Sequence, residues 1–305
     1  MANEVLAMLV RLCVVGTLGI LLVVSLREPV RRAVGAEAAF WLWLILPGSL
    51  VAVFLPRAAA GVCGPDTLLS PFLMRGIGAP LDLAPSMAVN SCALPVTVMW
   101  VIGATAALAC FVYCQWLLRR SLGRLEARSD GTHRSLTARQ PMLVGGWHPR
   151  IVLPSDFETR YSVAERALIV AHERAHVERR DALTNAAASG LVCLFWFNPL
   201  VYWAWNRFRF DQEVACDAAV LRQSKVPRRR YAQALAKTHF TGLAAIAFGW
   251  RRRHPLLERI AILKRPAPTR TRRLTGYALA LILMLSGAYV VWASVQGLPA
   301  PIPIA

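Results

Sequence analysis

The sequence predicts a mainly α-helical, polytopic membrane protein of about four spans, with one polar α+β domain between the third and fourth. Two observations support this prediction. Hydrophobic residues make up 56% of the 305 residues and charged residues only 17%, which is less charge than a soluble chain of this size usually carries. The charge is also concentrated, because residues 119–273 hold 29 of the 35 Lys and Arg and 12 of the 17 Asp and Glu.

Four apolar segments have the length and composition of membrane spans. They are Val5–Leu26, which includes a snorkelling Arg11, and then Ala38–Leu55, Ala93–Leu118 and Gly276–Val295. No basic segment precedes the first run and no small-residue cleavage site follows it, so we do not expect a cleaved signal peptide. The first apolar segment is therefore predicted to remain as a span.

The distribution of Arg predicts the domains and their orientation. Residues 1–118 hold three spans and an external loop at about 56–91, residues 119–273 form the polar domain, and residues 274–305 hold the fourth span and a short external tail. Loops rich in Lys and Arg stay on the cytoplasmic side of a membrane. We therefore expect a multi-pass protein with a cytoplasmic 119–273 domain and external N- and C-termini.

One apolar segment of the polar domain, residues 191–205, is not expected to span. It is short, and Asn198-Pro199 interrupts it. A crossing there would place the Arg-rich segment that follows it outside, against the usual distribution of charge in membrane loops. We expect a re-entrant or interfacial segment, or one that packs against the spans.

Of the seven cysteines, Cys63 and Cys92 lie in or beside the predicted external loop. There they could form a disulfide in an oxidising compartment. The alternative is a pair of unpaired thiols.

Residues Val163–Asp181 are predicted to form a helix that carries the candidate metal site. Ser162 and Glu165 have the spacing of a capping box at its start. Within it, His172 and His176 lie four residues apart on one face, so that both imidazoles can reach one metal ion. The alternative is a solvated, charged helix face.

The residue after the first histidine, Glu173, completes a His-Glu-x-x-His motif. Its side chain projects about 100° away from that of His172, where its carboxylate can polarise a metal-bound water. This arrangement predicts a zinc-dependent hydrolytic site, with Zn²⁺ as the cofactor and Glu173 as the catalytic base.

A catalytic zinc ion needs a third protein ligand and keeps one position for water. Residues Asp211–Leu221 are predicted to form a helix on which Glu213 and Asp217 share one face. Glu213 would complete a His-His-Glu ligand set. Cys216 is a rival ligand, and two further histidines, His133 and His148, are weaker candidates.

The remaining acidic residues near the motif have a predicted supporting role. Asp217 or Asp181 could accept the second N–H of a ligand imidazole, as groups around metal ligands commonly do. The alternative is that Glu213 and Asp217 only neutralise the nearby Arg207 and Arg209.

A β-hairpin is predicted between the third span and the metal helix. Met142–Val144 and Arg150–Leu153 are short β-prone runs, and Gly145-Gly146 and Pro149 are turn residues. Beside a metal cleft, such a hairpin can bind an extended peptide by strand addition. The alternative is a structural hairpin that covers the core.

These motifs together resemble the membrane metallopeptidases of the BlaR/MecR family. The similar features are the His-Glu-x-x-His motif, Asn198-Pro199-Leu200 in an aromatic stretch, Glu213-Val-Ala-Cys-Asp217, Pro141, Gly145, Pro149, Ile151-Val-Leu-Pro154 and Arg259-Ile260. The resemblance covers most of the chain, from the first span to the fourth. It implies Glu213 as the third zinc ligand and a gluzincin-like α+β domain on the cytoplasmic face of a helical bundle.

The resemblance also implies a partner and a location. The partner is a protein or peptide substrate, and the location is the bacterial inner membrane. The best-known members cleave a cytoplasmic repressor when an extracellular penicillin-binding domain, placed after the last span, is acylated. This sequence ends ten residues after its fourth span and lacks the Ser-x-x-Lys and Lys-Thr-Gly motifs of that domain, so β-lactam sensing is not carried over. A homodimer is compatible with the sequence.

Two functional hypotheses follow. In the first, the chain is a zinc endopeptidase that cleaves a regulatory protein or, alternatively, performs housekeeping proteolysis; Tyr231, His239 and His254 are candidates for oxyanion stabilisation. In the second, the chain is a non-catalytic scaffold that binds a partner through Arg228–Arg230 and Arg251–Arg253. No nucleic-acid module is recognisable, so direct nucleic-acid binding is not expected.

Overall fold

The computed structural model describes residues 2–56, 87–224, 226–240 and 255–296, which form a mainly helical protein with one small sheet. The chain divides into two compact units. The first comprises Met1–Val23, Leu42–Ile102 and Leu281–Ala305; the second comprises Val24–Trp41 and Gly103–Ala280. All the predicted site residues lie in the second unit.

Three described helices are long and apolar enough to cross a membrane. They are α1 (Ala2–Val34), the Cys92–Ser121 part of a helix that begins at Met87, and the Arg270–Ser294 part of a helix that ends at Gln296. These helices contain the predicted first, third and fourth spans. The Cys63–Cys92 pairing, most of the 56–91 loop and residues 297–305 lie outside the described residues.

The predicted second span, Ala38–Leu55, differs from the expected continuous helix. It is made of three consecutive pieces of 5, 4 and 8 residues, namely α2 (Ala36–Phe40), a 3₁₀ turn (Trp41–Leu44) and α3 (Ile45–Ala52). Together they are shorter than the roughly 20 residues that a spanning helix needs. The described part of the chain therefore has three rather than four helices of spanning length.

The hairpin prediction is confirmed. The second unit has a four-stranded sheet with strands β1 (Glu126–Ala127), β2 (His133–Ser135), β3 (Met142–Val144) and β4 (Arg150–Pro154). β3 pairs antiparallel with β4, β4 pairs parallel with β2, and the order β1-β2-β4-β3 places β3 at an edge. The apolar side chains of β4 pack against the helices that follow it.

The remaining helices of the second unit surround the site. After α4 (Met87–Ser121) and the sheet come α5 (Phe157–Arg160), α6 (Val163–Glu178), α7 (Asp181–Leu194), α8 (Pro199–Ser224), α9 (Arg228–Phe240), α10 (Pro255–Leu263) and α11 (Arg270–Gln296). One buried core includes Leu168 of α6, Val220 of α8, Leu235 of α9 and Leu256 of α10. This core fixes the relative positions of the four helices that contribute to the candidate site.

The apolar segment 191–205 is divided between two helices. It contains the end of α7, a turn at Phe195–Asn198 and the start of α8. The Asn198 side chain accepts a hydrogen bond of 3.0 Å from the Leu200 amide, and Pro199 occupies the first helical position, where its missing N–H costs nothing. Trp196 packs so closely on α4 that a Cβ at Gly103 would lie 2.1 Å from its ring.

Candidate metal centre

The helix that carries the motif begins with the predicted capping box. The Ser162 hydroxyl accepts a hydrogen bond of 3.4 Å from the Glu165 amide, and the Glu165 carboxylate accepts one of 2.8 Å from the Ser162 amide. No glycine or proline interrupts the helix after this cap. Its buried face includes His172, Glu173 and His176, so the motif points into the protein rather than into solvent.

Three potential donor atoms converge between α6 and α8. The Nε2 atoms of His172 and His176 are 3.2 Å apart. The Glu213 carboxylate oxygens lie 3.4 Å from Nε2 of His172 and 3.6 Å from Nε2 of His176. Two ligands held at about 2.05 Å by a tetrahedral zinc ion are about 3.3 Å apart. The three side chains therefore have the spacing that one tetrahedral ion requires.

Cys216, the rival ligand, lies beside both imidazoles. Its Sγ is 3.6 Å from Nδ1 of His172 and 3.4 Å from the His172 carbonyl oxygen. His172, His176 and Cys216 each offer a donor within 4.8 Å of the others. Cys216 and Glu213 thus both offer a donor atom beside the two imidazoles.

Asp181 lies against His176, as one of the sequence alternatives has it. Its Oδ2 is 2.6 Å from Nδ1 of His176. The turn between α6 and α7 makes this contact possible, because Arg180 adopts a left-handed conformation with φ of 56° that reverses the chain directly before Asp181. The same carboxylate oxygen accepts from Nε of Arg179 at 3.4 Å, so it acts as an acceptor and Nδ1 of His176 carries a proton.

Asp217 reaches His172 mainly through Tyr231. The Tyr231 hydroxyl donates to Asp217 Oδ1 at 2.8 Å and lies 2.9 Å from Nδ1 of His172. Because its single proton goes to the carboxylate, the hydroxyl oxygen accepts from Nδ1–H. Tyr231, suggested above as an oxyanion donor, is therefore on the outer side of the ligand ring. His254 and the His239 side chain lie outside the described residues.

Arg259 is the site residue whose role the sequence did not indicate. Its guanidinium donates to Asp217 through Nε at 2.9 Å and Nη2 at 2.8 Å, and its Nη1 lies 3.0 Å from Glu213. Glu213 and Asp217 thus pair with Arg259, not with Arg207 or Arg209. The available signal was the presence of two charged residues, Glu258 and Arg259, in the otherwise apolar segment Pro255–Leu263, since a charge that is buried needs a partner.

The electrostatic surroundings favour positive charge at the two imidazoles. Burial alone would lower the pKa of His176, but the hydrogen bond to Asp181 and the charges of Cys216 and Glu213 raise it to about 10. The pKa of His172 is likewise raised well above its ordinary value, against the effect of burial, by Cys216, Glu213 and Asp217. A pocket that favours protons on two histidines also favours a divalent cation.

The two glutamates of the site differ electrostatically. Burial would raise the pKa of Glu213, but the hydrogen bond from His172 and the charge of Arg259 lower it well below its usual range. Burial raises the pKa of Glu173, and the neighbouring histidines only partly oppose this. Glu213 is thus held as an anion, as a ligand must be, whereas Glu173 is suited to exchange a proton.

The site opens into a cleft of about 990 Å³. His172, Glu173, His176 and Glu213 line it on one side, and residues 140–143, which lead into the edge strand β3, line it as well. The two weaker ligand candidates, His133 in β2 and His148 before β4, are not among the lining residues. The cleft therefore joins the candidate metal centre to an unpaired strand edge.

Comparisons with known proteins identify relatives of this chain. A family model described as "BlaR1 peptidase M56" matches residues 7–263. The regulatory protein BlaR1 of Bacillus licheniformis is 35% identical over 89 residues, which are 29% of this chain and 15% of that protein. The methicillin resistance mecR1 proteins of Staphylococcus aureus and Staphylococcus epidermidis are 28% identical over 168 residues, which are 51% of this chain and 28% of each relative.

The chain thus aligns with less than a third of the length of these curated relatives. The family model, by contrast, matches well over half of the chain, from α1 to α10. This chain therefore belongs to the BlaR1 peptidase M56 family of membrane metallopeptidases.

Proposed function

We propose that the chain is a membrane-embedded zinc endopeptidase with His172, His176 and Glu213 as zinc ligands and Glu173 as general base. The observation that carries this proposal is the convergence of two Nε2 atoms and one carboxylate at 3.2 to 3.6 Å. Membership of a metallopeptidase family supports it. The same residues also explain why Asp181 and Tyr231 are buried beside the two imidazoles.

The proposed chemistry divides among these side chains. When bound, zinc supplies a water whose pKa is lowered to about 7 and polarises the scissile carbonyl. Glu173 would act as the proton acceptor for a water in the cleft and as the proton donor to the leaving amine. Its pKa, raised by burial, brings it closer to the operating pH and so suits both steps. Asp181 and Tyr231 hold the two imidazoles in the tautomer that leaves Nε2 free.

The proposed substrate is an extended peptide segment. β3 pairs with β4 on one side only, and residues 140–143 line the cleft beside the histidines. A strand edge offers unpaired backbone donors and acceptors, to which a peptide can add as a further strand. This mode of binding fixes the main chain of the substrate beside Glu173 and leaves sequence preference to the side-chain pockets.

The proposed role is regulated cleavage of a cytoplasmic protein such as a transcriptional repressor. Two relatives carry names that describe regulation and methicillin resistance, and the Arg-rich 119–273 domain favours the cytoplasmic side. Housekeeping proteolysis of membrane proteins is the competing role. Comparing new protein N-termini in cells that carry the parent or Glu173→Gln distinguishes the two: one or a few cytoplasmic regulators are expected, and a broad set of membrane proteins would contradict regulation.

The ligand assignment is tested by zinc content and peptide cleavage in detergent-purified protein. We expect about one zinc per chain in the parent. Glu173→Ala should keep the zinc and lose cleavage, whereas Glu213→Ala should lose most of both. Cys216→Ala is the matched control, since it removes the rival donor on the same helix, and it should keep the zinc. Zinc loss in Cys216→Ala with retention in Glu213→Ala would reverse the assignment.

A further inference from the structure

A second cavity of the same unit is strongly basic and has no part in the proposed chemistry. Its volume is about 230 Å³. Seven arginines and one glutamate line it, for a formal charge of +6: Arg31, Arg32, Arg222, Arg228, Arg265, Arg272, Arg273 and Glu37. Such a concentration of guanidinium groups in a concave site is suited to bind an anion, and phosphate above all.

The cavity lies where two candidate membrane spans meet the polar domain. The C-terminal end of α1 contributes Arg31 and Arg32, and the N-terminal end of α11 contributes Arg272 and Arg273. One turn further into α11, Tyr277 makes an edge contact with Trp41 at a centroid distance of 6.4 Å. Tyr and Trp are enriched at the headgroup level of bilayers. If the two helices cross a bilayer, the arginines lie at the depth of the lipid phosphates.

Several of these arginines are not neutralised by the protein. Three of the lining arginines form ion pairs: Arg31 with Asp211, Arg32 with Glu28 and Arg222 with Glu37. In contrast, Arg272 donates to the Ala33 carbonyl through Nε at 2.9 Å, and Arg228 donates to the Arg265 carbonyl. A carbonyl satisfies a hydrogen bond without cancelling charge. Among the described residues, no carboxylate lies within ion-pair distance of Arg265 or Arg273. The cavity thus keeps a positive charge that an external anion can neutralise.

Close backbone packing forms the cavity in advance of any ligand. Gly35, with φ of 99°, lies so near the loop after α10 that a Cβ there would be 2.5 Å from Cγ of Pro268. A Cβ at Gly276 would likewise be 2.6 Å from side-chain atoms of Val34 and Ala38. The segments that bear the arginines are therefore held together by backbone contacts rather than by an anion, and binding requires little ordering.

We propose that this cavity binds the phosphate group of an anionic phospholipid. The headgroup phosphate enters among Arg265, Arg272 and Arg273, and the acyl chains follow the apolar surface of α11, where Leu274 and Leu279 are exposed. Basic pockets between spans are a recognised form of lipid recognition. Inorganic phosphate carries the same charged group but has no acyl chains. A lipid should therefore bind this cavity more tightly than inorganic phosphate does.

The test is the binding of fluorescent phosphatidylglycerol to the full-length protein in a neutral detergent. We expect saturable binding of about one lipid per chain, displaced by unlabelled phosphatidylglycerol and much less well by phosphatidylcholine, glycerol phosphate or inorganic phosphate. Loss of one arginine contact should lower the affinity for the lipid about fivefold. The double variant Arg265→Gln/Arg273→Gln should therefore bind the lipid about 30-fold more weakly than the parent.

The matched control removes the same charge at the end of another span. Arg119→Gln/Arg120→Gln should weaken binding less than about threefold, because neither residue lines the cavity. An equal loss in both double variants would overturn the proposal, as would displacement by inorganic phosphate at lipid-like concentrations. The melting temperature of each variant shows whether it is folded. If the double variant does not fold, the single variants Arg265→Gln and Arg273→Gln take its place, and each should bind the lipid about fivefold more weakly than the parent.

Discussion

Substitution of Arg259 by methionine should strongly destabilise the second unit. Arg259 is 4% exposed and Asp217 is 1% exposed, so Arg259→Met would leave the Asp217 carboxylate buried without its counter-charge and deprive Glu213 of its cation. Removing one partner of a buried ion pair costs about 3–5 kcal/mol. For a unit of this size, that corresponds to a melting temperature lowered by roughly 6–20 °C.

The assay is thermal unfolding of the metal-free protein in detergent, with two comparisons. Arg229→Met removes an exposed arginine of α9 and should change stability by less than about 0.5 kcal/mol. The double variant Arg259→Met/Asp217→Asn removes both charges and should recover about 2 kcal/mol of the loss, which a double-mutant cycle reports as coupling. A melting temperature for Arg259→Met within 2 °C of the parent, or no coupling, would refute the ion-pair assignment.

Zinc provides a further measurement on the same variants. If Glu213 is a ligand, the metal supplies the positive charge that Arg259→Met removes from that carboxylate, although not the charge lost beside Asp217. Zinc should therefore raise the melting temperature of Arg259→Met by more degrees than it raises that of the parent. An equal rise in both proteins would contradict the placement of Arg259 against a metal ligand.

Four other substitutions test three separate parts of the structure. Asp181→Asn removes the charged acceptor at His176 and should weaken zinc binding by about 10- to 100-fold in a chelator competition; unchanged affinity would contradict the tautomer argument. Gly103→Ala should destabilise by about 1–3 kcal/mol because Trp196 occupies the space, whereas Gly190→Ala, which meets no atom within 4 Å, should stabilise by about 0.5–1 kcal/mol. Ser162→Ala should cost about 1 kcal/mol of unfolding free energy, and no change would show that the cap is dispensable.

The parts of the site that could be predicted are those encoded by local spacing. The helical period of 3.6 residues predicts that His172 and His176 share one face of α6 and that Glu213 and Asp217 share one face of α8. The spacing of Ser162 and Glu165 likewise predicts the capping box. The β3–β4 hairpin follows from turn residues between two β-prone runs. Each of these patterns involves residues within about fifteen positions of one another, where backbone geometry alone fixes which side chains share a face.

The parts that could not be predicted depend on contacts between distant helices. Tyr231 is 59 residues from His172, and Arg259 is 42 residues from Asp217. Helical periodicity indicates which face of α9 or α10 is buried but not which residue it meets. The second apolar segment could not be predicted either. Its composition predicts one span, whereas the chain leaves α1 through a glycine with positive φ and continues as three short helical pieces.

The hydrogen bonds around the two imidazoles lead to one further step. Asp181 and the Tyr231 hydroxyl both act as acceptors, so each ring places a proton on Nδ1. The two Nε2 atoms then face each other at 3.2 Å, beside a carboxylate held as an anion. In the metal-free protein, protons on the imidazoles stabilise this arrangement, since the pKa of His176 is raised to about 10 and His172 donates to Glu213. In the proposed zinc site, a divalent cation would replace these protons, which accounts for the use of groups so distant in sequence to orient two rings.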